Sequence, residues 1–147
     1  MIQGLTTIEI LLVEDNPGDV RLTQEGFAHA KLHNRLWLAP DGETALQMLR
    51  REGEHADCPA FDLVLLDLNL PGSSGLDVLA DIRADEVLCT TPVVMLSSST
   101  AERDVVESYR RSANCYVAKP NDFHAFVDVV HAIEQFWTTV AQLPSRR

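Results

Sequence analysis

The sequence predicts an α/β fold, a doubly wound five-stranded parallel sheet in the order 2-1-3-4-5 that ends in an extended C-terminal helix. Three observations point to it. Short apolar runs alternate with amphipathic stretches five times along the chain. The runs are nearly continuous rather than polar on alternate residues, as in strands covered on both faces. Four of the five runs end in side chains able to do chemistry, and that order sets those ends side by side, with the second strand at an edge.

The elements follow in order. Ile8 to Val13, apolar except for one Glu, is the first strand. Asn16 suits an N-cap, Pro17 the first helical position and Asp19 the first turn, so a helix is expected from Pro17 to about Ala30. Leu36 to Ala39 is a short strand, Asp41 caps a helix to about Arg51, and Asp62 to Leu66 is the third strand, after a loop from Gly53 to Phe61. The run Pro71-Gly72-Ser73-Ser74-Gly75 is turn chemistry, and Leu76, Leu79 and Ile82 have helical spacing up to about Asp85. Val93 to Leu96 is the fourth strand, opened by Pro92. Thr100 is expected to cap a helix to about Ser112, Cys115 to Ala118 is the fifth strand, and Asp122 caps the final helix. Right-handed crossovers then place helices on both faces.

The 147 residues, 46% of them apolar, suit a single domain spanning 1–147 with its core over about 8–142. No apolar run reaches the roughly 18 residues needed to span a bilayer, and Met1 to Leu12 lacks the features of a signal peptide, so a soluble, cytoplasmic protein without membrane contact is expected. A net charge of −10 repels phosphate backbones, which argues against direct nucleic-acid binding despite Arg146 and Arg147. Cys58, Cys89 and Cys115 form no metal or redox spacing and are expected to be reduced, inert thiols. The five histidines, His29, His33, His55, His124 and His131, lack an H-E-x-x-H pairing.

The strand ends carry Glu14-Asp15 after the first strand, Asp67 after the third, Ser97 after the fourth and Lys119 after the fifth. Three carboxylates gathered by folding repel one another unless a cation neutralises them. Mg²⁺, which takes a few carboxylate or carbonyl oxygens and completes its shell with water and phosphate, suits Glu14, Asp15 and Asp67. Asp67 beside a phosphorus atom can act as an in-line nucleophile, giving an aspartyl phosphate. Lys119 is one of two lysines against ten arginines, and its compact ammonium can meet a phosphoryl oxygen. Ser97 can donate a hydroxyl to another. Singly, each residue has an ordinary explanation: an acidic turn for Glu14-Asp15, a turn residue for Asp67, a loop serine for Ser97, a surface lysine for Lys119. Their recurrence at successive strand ends favours one site.

With these residues in place, the sequence resembles the response-regulator receiver family of two-component signalling, over nearly the whole chain. Ser97 follows Asp67 by thirty residues, and Lys119 follows Ser97 by twenty-two. The resemblance implies a flavodoxin-like sheet, Asp67 as phosphoacceptor, and Glu14 and Asp15 as an acidic pair for Mg²⁺, joined by the main-chain carbonyl of Asn69. It implies further that Ser97 is the switch hydroxyl, Tyr116 the switch aromatic, and Lys119 the phosphate-binding lysine with a cis bond to Pro120. Tyr116 has the plainer alternative of a strand aromatic. Narrower similarity, in Glu14-Asp15-Asn16-Pro17-Gly18-Asp19, the loop Gly53 to Phe61, Asn114 to Pro120 and Ile133 to Trp137, is to regulators associated with bacterial and cyanobacterial phytochromes. It implies a sensor histidine kinase partner and dimerisation through the fourth and fifth helices.

The final helix, expected from Asp122 to about Gln142, carries a stripe of Phe126, Val130, Ile133, Trp137 and Val140, which Val129 and Phe136 broaden. It should project past the sheet and offer Phe136 and Trp137 to a homodimer, or else pack them on the domain's own core. With no room for an output domain after it, output by protein contact is expected. Three rival functions fit the sequence less well. A haloacid dehalogenase-type phosphatase needs a second Asp where Asn69 stands. A flavodoxin-like electron carrier needs a phosphate loop where Glu14 and Asp15 repel phosphate. A degenerate receiver should lack part of the site set.

Overall fold

The computed structural model describes residues 7–28 and 33–144. Its five strands are β1 (Ile8–Val13), β2 (Asn34–Ala39), β3 (Leu63–Leu66), β4 (Val93–Ser97) and β5 (Cys115–Ala118). All neighbours pair in parallel, in the order β2-β1-β3-β4-β5. Helices α1 (Pro17–Ala28), α2 (Gly42–Arg50), α3 (Gly75–Ala84), α4 (Glu102–Arg110) and α5 (Phe123–Gln135) connect and close the sheet. The expected extension of α1 to Ala30, and Arg146 and Arg147, fall outside the described residues.

Because side chains alternate across a strand, the continuous apolar runs feed two cores. Leu11, Val13, Val64, Leu66 and Met95 meet Ala45, Met48, Val78, Leu79 and Ile82 of α2 and α3 on one face. Ile10, Leu12, Leu63, Leu65, Val94 and Leu96 meet Val20 and Phe27 of α1 and Phe126, Val130 and Ile133 of α5 on the other. The one Glu of β1, Glu9, is buried, and its carboxylate accepts bonds from Arg35 and from Trp37 Nε1 (2.9 Å) on the neighbouring strand. At Gly26 a Cβ would collide with Val130, so glycine sets how closely α1 approaches α5.

Caps form at the predicted residues in α1, α2 and α5: Asn16 accepts from the Asp19 N–H (3.1 Å), Asp41 from Thr44 (2.7 Å) and Asp122 from Ala125 (2.9 Å). Ser74 does the same for α3, accepting from Leu76 (3.1 Å). The expected Thr100 cap of α4 is not made. Ala101 occupies the cap position without a side-chain bond, while Ser99 Oγ accepts from the Ala101 N–H and donates to Asp104. The hydroxyl one position earlier takes over the start of the helix.

Two further expectations are corrected. The Lys119–Pro120 bond is trans, as the intrinsic preference of a prolyl amide favours. The final helix keeps α geometry only to Gln135 and continues as a wide π turn over Phe136–Val140, closed by an Ala141 N–H to Phe136 O bond of 2.7 Å. The single hydroxyl proton of Thr138 is shared between Glu134 O (2.6 Å) and Glu134 Oε2 (2.7 Å), the back-bonding that loosens an α turn. Trp137 still packs against the α1/α5 core as the stripe predicts, whereas Val140, at the end of the π turn, is 69% exposed, and Phe136, beside the stripe, is 49% exposed. Among the described residues, no helix is long and apolar enough to cross a membrane.

Candidate functional site

The sheet ladder itself assembles the predicted residues. Asp67 N–H donates to Val13 O (3.0 Å), Lys119 N–H donates to Ser97 O (2.8 Å), and Leu66 of β3 pairs with Met95 of β4, so the ends of β1, β3, β4 and β5 are joined through the sheet. Helix α3 starts tight against this edge: Gly75 N–H donates to Leu68 O (2.7 Å), and a Cβ at Gly75 would collide with Asp67 O. Asn69 is exposed, donates its N–H to Asp67 Oδ1 (3.3 Å) and bridges to Ser74, closing the loop after β3.

Lys119 lies at the centre, its side chain 6% exposed. Its ammonium donates to Glu14 Oε2 (2.5 Å), Asp19 Oδ2 (2.9 Å) and Asp67 Oδ2 (3.3 Å). Glu14 Oε1 is held from the other side by the Asn16 N–H (3.1 Å). Burial pushes the Glu14 carboxyl up to about 7 despite the hydrogen bond and charge of Lys119, and the Asp67 charge adds to the rise. Burial works to lower the pKa of Lys119, but the bonds to Glu14 and Asp19 and the charges of Asp67 and Glu14 outweigh it, so the amine is held firmly charged.

Carboxylate oxygens of Glu14, Asp15 and Asp67 lie within 4.8 Å of one another, with Glu14 and Asp67 buried and Asp15 exposed. One ammonium among four carboxylates, counting Asp19, leaves a net negative pocket of hard oxygens. That donor set fits a divalent ion of the Mg²⁺ type, which favours the ionised form that burial of Glu14 opposes.

Ser97 is wholly buried, and its Oγ accepts from the Ser99 N–H (3.2 Å). Tyr116 packs against the α2/α3 core, its hydroxyl donating to Ser99 O (2.7 Å), while its own N–H donates to the Tyr109 hydroxyl (3.1 Å). Ser99 thereby stands between Ser97, Tyr116 and the start of α4. Phe136 and Trp137, in edge-to-face contact at 5.4 Å, are remote from this cluster in the chain and belong to the α5 end.

Sequence reasoning missed Asp19 as a partner of Lys119, Gly75 as a close-approach residue, and the hub at Ser99 with Tyr109. Asp19 follows Asp15 by four residues, a spacing that points to one side of a helical turn, but its position also suits the helix dipole. For Ser99 and Tyr109 no sequence signal exists.

Comparison with known proteins agrees with this geometry. The model of the response regulator receiver domain matches residues 10–131. The chain is 40% identical over 136 residues to response regulator Rcp1 of Synechocystis sp. strain PCC 6803, covering 92% of each. The crystal structure of a phosphorylated cyanobacterial phytochrome response regulator, RcpA, superposes with a TM-score of 0.92 at 43% identity, over 95% of this chain and 100% of that one. The Mn²⁺-bound form of Rcp1 superposes with a TM-score of 0.90 at 39% identity, over 94% and 99%. The chain belongs to the response-regulator receiver family, whose members bind a divalent metal and accept a phosphoryl group from a histidine kinase.

Proposed function

We propose that Asp67 is the phosphoacceptor of a single-domain receiver, residues 1–147, that works downstream of a phytochrome-type sensor histidine kinase. The observation that carries the reading is the buried Lys119 ammonium bound to both Asp67 and Glu14 at the carboxyl edge of the sheet. In the transfer, an Asp67 carboxylate oxygen forms a bond to phosphorus as the bond from phosphorus to the kinase histidine nitrogen breaks. That nitrogen leaves with the electron pair, and with a proton on the other ring nitrogen the histidine departs as neutral imidazole. Lys119 and the Ser97 hydroxyl meet two of the phosphoryl oxygens. Glu14, Asp15, Asp67 and the Asn69 carbonyl would hold Mg²⁺, which offsets negative charge on the transferring group. The same site returns Asp67 to a carboxylate when water attacks phosphorus, the O–P bond to Asp67 breaks and inorganic phosphate leaves.

Phosphorylation biases two arrangements of Ser97, Tyr116 and α4 and so alters an outer face that contacts another protein. Phe136 and Trp137 contribute to a homodimer contact, supported by the exposure of Phe136. Net charge disfavours nucleic acid as the target, and the protein acts in the cytoplasm, where its kinase delivers the phosphoryl group.

The test is labelling by acetyl phosphate with Mg²⁺. The wild type gains one acid-labile phosphoryl group, lost on adding a chelator, and Asp67→Asn gains none; unchanged labelling of that variant overturns the assignment. Phosphotransfer from phytochrome kinases, compared with unrelated histidine kinases, tests the partner.

A further inference from the structure

We propose that Asp19 is a positioning residue that competes with the phosphoryl group for the Lys119 ammonium and thereby sets how strongly the phosphorylated state is favoured. The inference rests on the proposed function of Asp67. An ammonium has three N–H donors. All three are engaged here, by Glu14, Asp19 and Asp67. One of the three is Asp67 itself, whose 3.3 Å contact a phosphoryl oxygen on that residue can replace, so the ammonium is then divided between the phosphoryl group and the two carboxylates that remain, Glu14 and Asp19.

Burial decides which of those two yields. The Glu14 side chain is 2% exposed and cannot turn to water, so its bond to the ammonium is the harder of the two to release. Asp19 is 28% exposed on the first turn of α1, so water can solvate its carboxylate once the lysine turns away. Asp19 is therefore the exchangeable partner, and its bond to Lys119 weighs against the phosphorylated arrangement. Its side chain makes no hydrogen bond within the helix. The backbone N–H of Asp19 bonds Asn16 Oδ1, and its carbonyl accepts from Thr23 Oγ1. An Asp19→Asn change accordingly leaves the α1 cap intact.

The experiment is calorimetric titration with beryllofluoride, a mimic of the phosphoryl group, at saturating Mg²⁺. Asp19→Asn should bind roughly five- to tenfold more tightly than wild type, the scale of one weakened charge-assisted hydrogen bond. The gain should persist at 1 M salt, where charges beyond about 3 Å are screened. It should shrink to within about twofold in a Lys119→Arg background, whose five donors end the competition. Unchanged or weaker binding overturns the proposal, as does a gain that salt abolishes or that survives in Lys119→Arg, since long-range charge alone would produce it. Should Asp19→Asn fail to fold, Asp19→Ser gives the same readout. If the wild type neither binds beryllofluoride nor labels from acetyl phosphate, the proposed function itself fails, and this inference with it.

Discussion

At the scale of single residues, the site combines groups whose costs of burial differ. Glu14 is buried deeply enough to be driven toward neutrality, Lys119 is kept charged by its three partners, and Asp15 stays in water. Gly75 is where sterics bear most directly on chemistry. Any side chain there strikes the Asp67 carbonyl, so Gly75→Ala is expected to lose about 1–3 kcal/mol in urea unfolding and to slow labelling of Asp67 by moving its backbone. A variant as stable and as reactive as wild type would show that α3 can retreat without cost. Tyr116→Phe removes the hydroxyl that bonds Ser99 O. It should cost about 1 kcal/mol of stability while leaving labelling by acetyl phosphate intact, because the hydroxyl bonds the loop after β4 and not the phosphoacceptor. Asp67 was legible as a strand-end carboxylate. Asp19 was not, because its role depends on a lysine a hundred residues away, which only the folded sheet brings within reach.

At the scale of elements, anchoring is uneven. Helices α1, α2, α3 and α5 each bury several residues in the two cores, whereas α4 buries only Ser108 and its cap residue, Ala101, makes no side-chain bond. Amides of α4 should therefore exchange with solvent faster than those of β1 and β3, and phosphorylation should change α4 protection before that of α2. Equal protection of α4 and α2 in both states would contradict this ordering. The cap of α5 has a simpler expected cost: Asp122→Ala should lose about 1 kcal/mol in chemical unfolding, since the Ala125 N–H loses its acceptor. Caps at Asn16, Asp41 and Asp122 were legible because capping is local chemistry. Thr100 misled because three serines precede it and any of these hydroxyls has the right chemistry. The choice of Ser99 depends on its contacts with Asp104 and Tyr116.

For the whole molecule, the π turn after α5 changes which surface is on offer. A regular helix would have carried Phe126, Val130, Ile133, Trp137 and Val140 along one face, but here Trp137 stays on the core while Val140 leaves it, next to the exposed Phe136. A dimer built on this end should weaken at least severalfold on Phe136→Ala, with the monomer fold retained, as measured by light scattering and circular dichroism. A monomer at high concentration, with and without phosphorylation, would count decisively against it. The α1/α5 approach at Gly26 and Val130 places this surface on the same side of the sheet as Asp19, so the site and the candidate interface share a layer.

The sequence by itself determined the alternation of strands and helices, the two-faced core, and the identity of the strand-end residues. These depend on periodicity, on local capping and turn chemistry, and on the rule that ligands gather at the carboxyl edge of a parallel sheet. The tertiary structure alone decided which carboxylates share Lys119, which hydroxyl begins α4 and how far the last helix stays regular. Each depends on competition among groups far apart in the chain for one donor, one cap position or one buried face, and local propensity carries no information about such a competition.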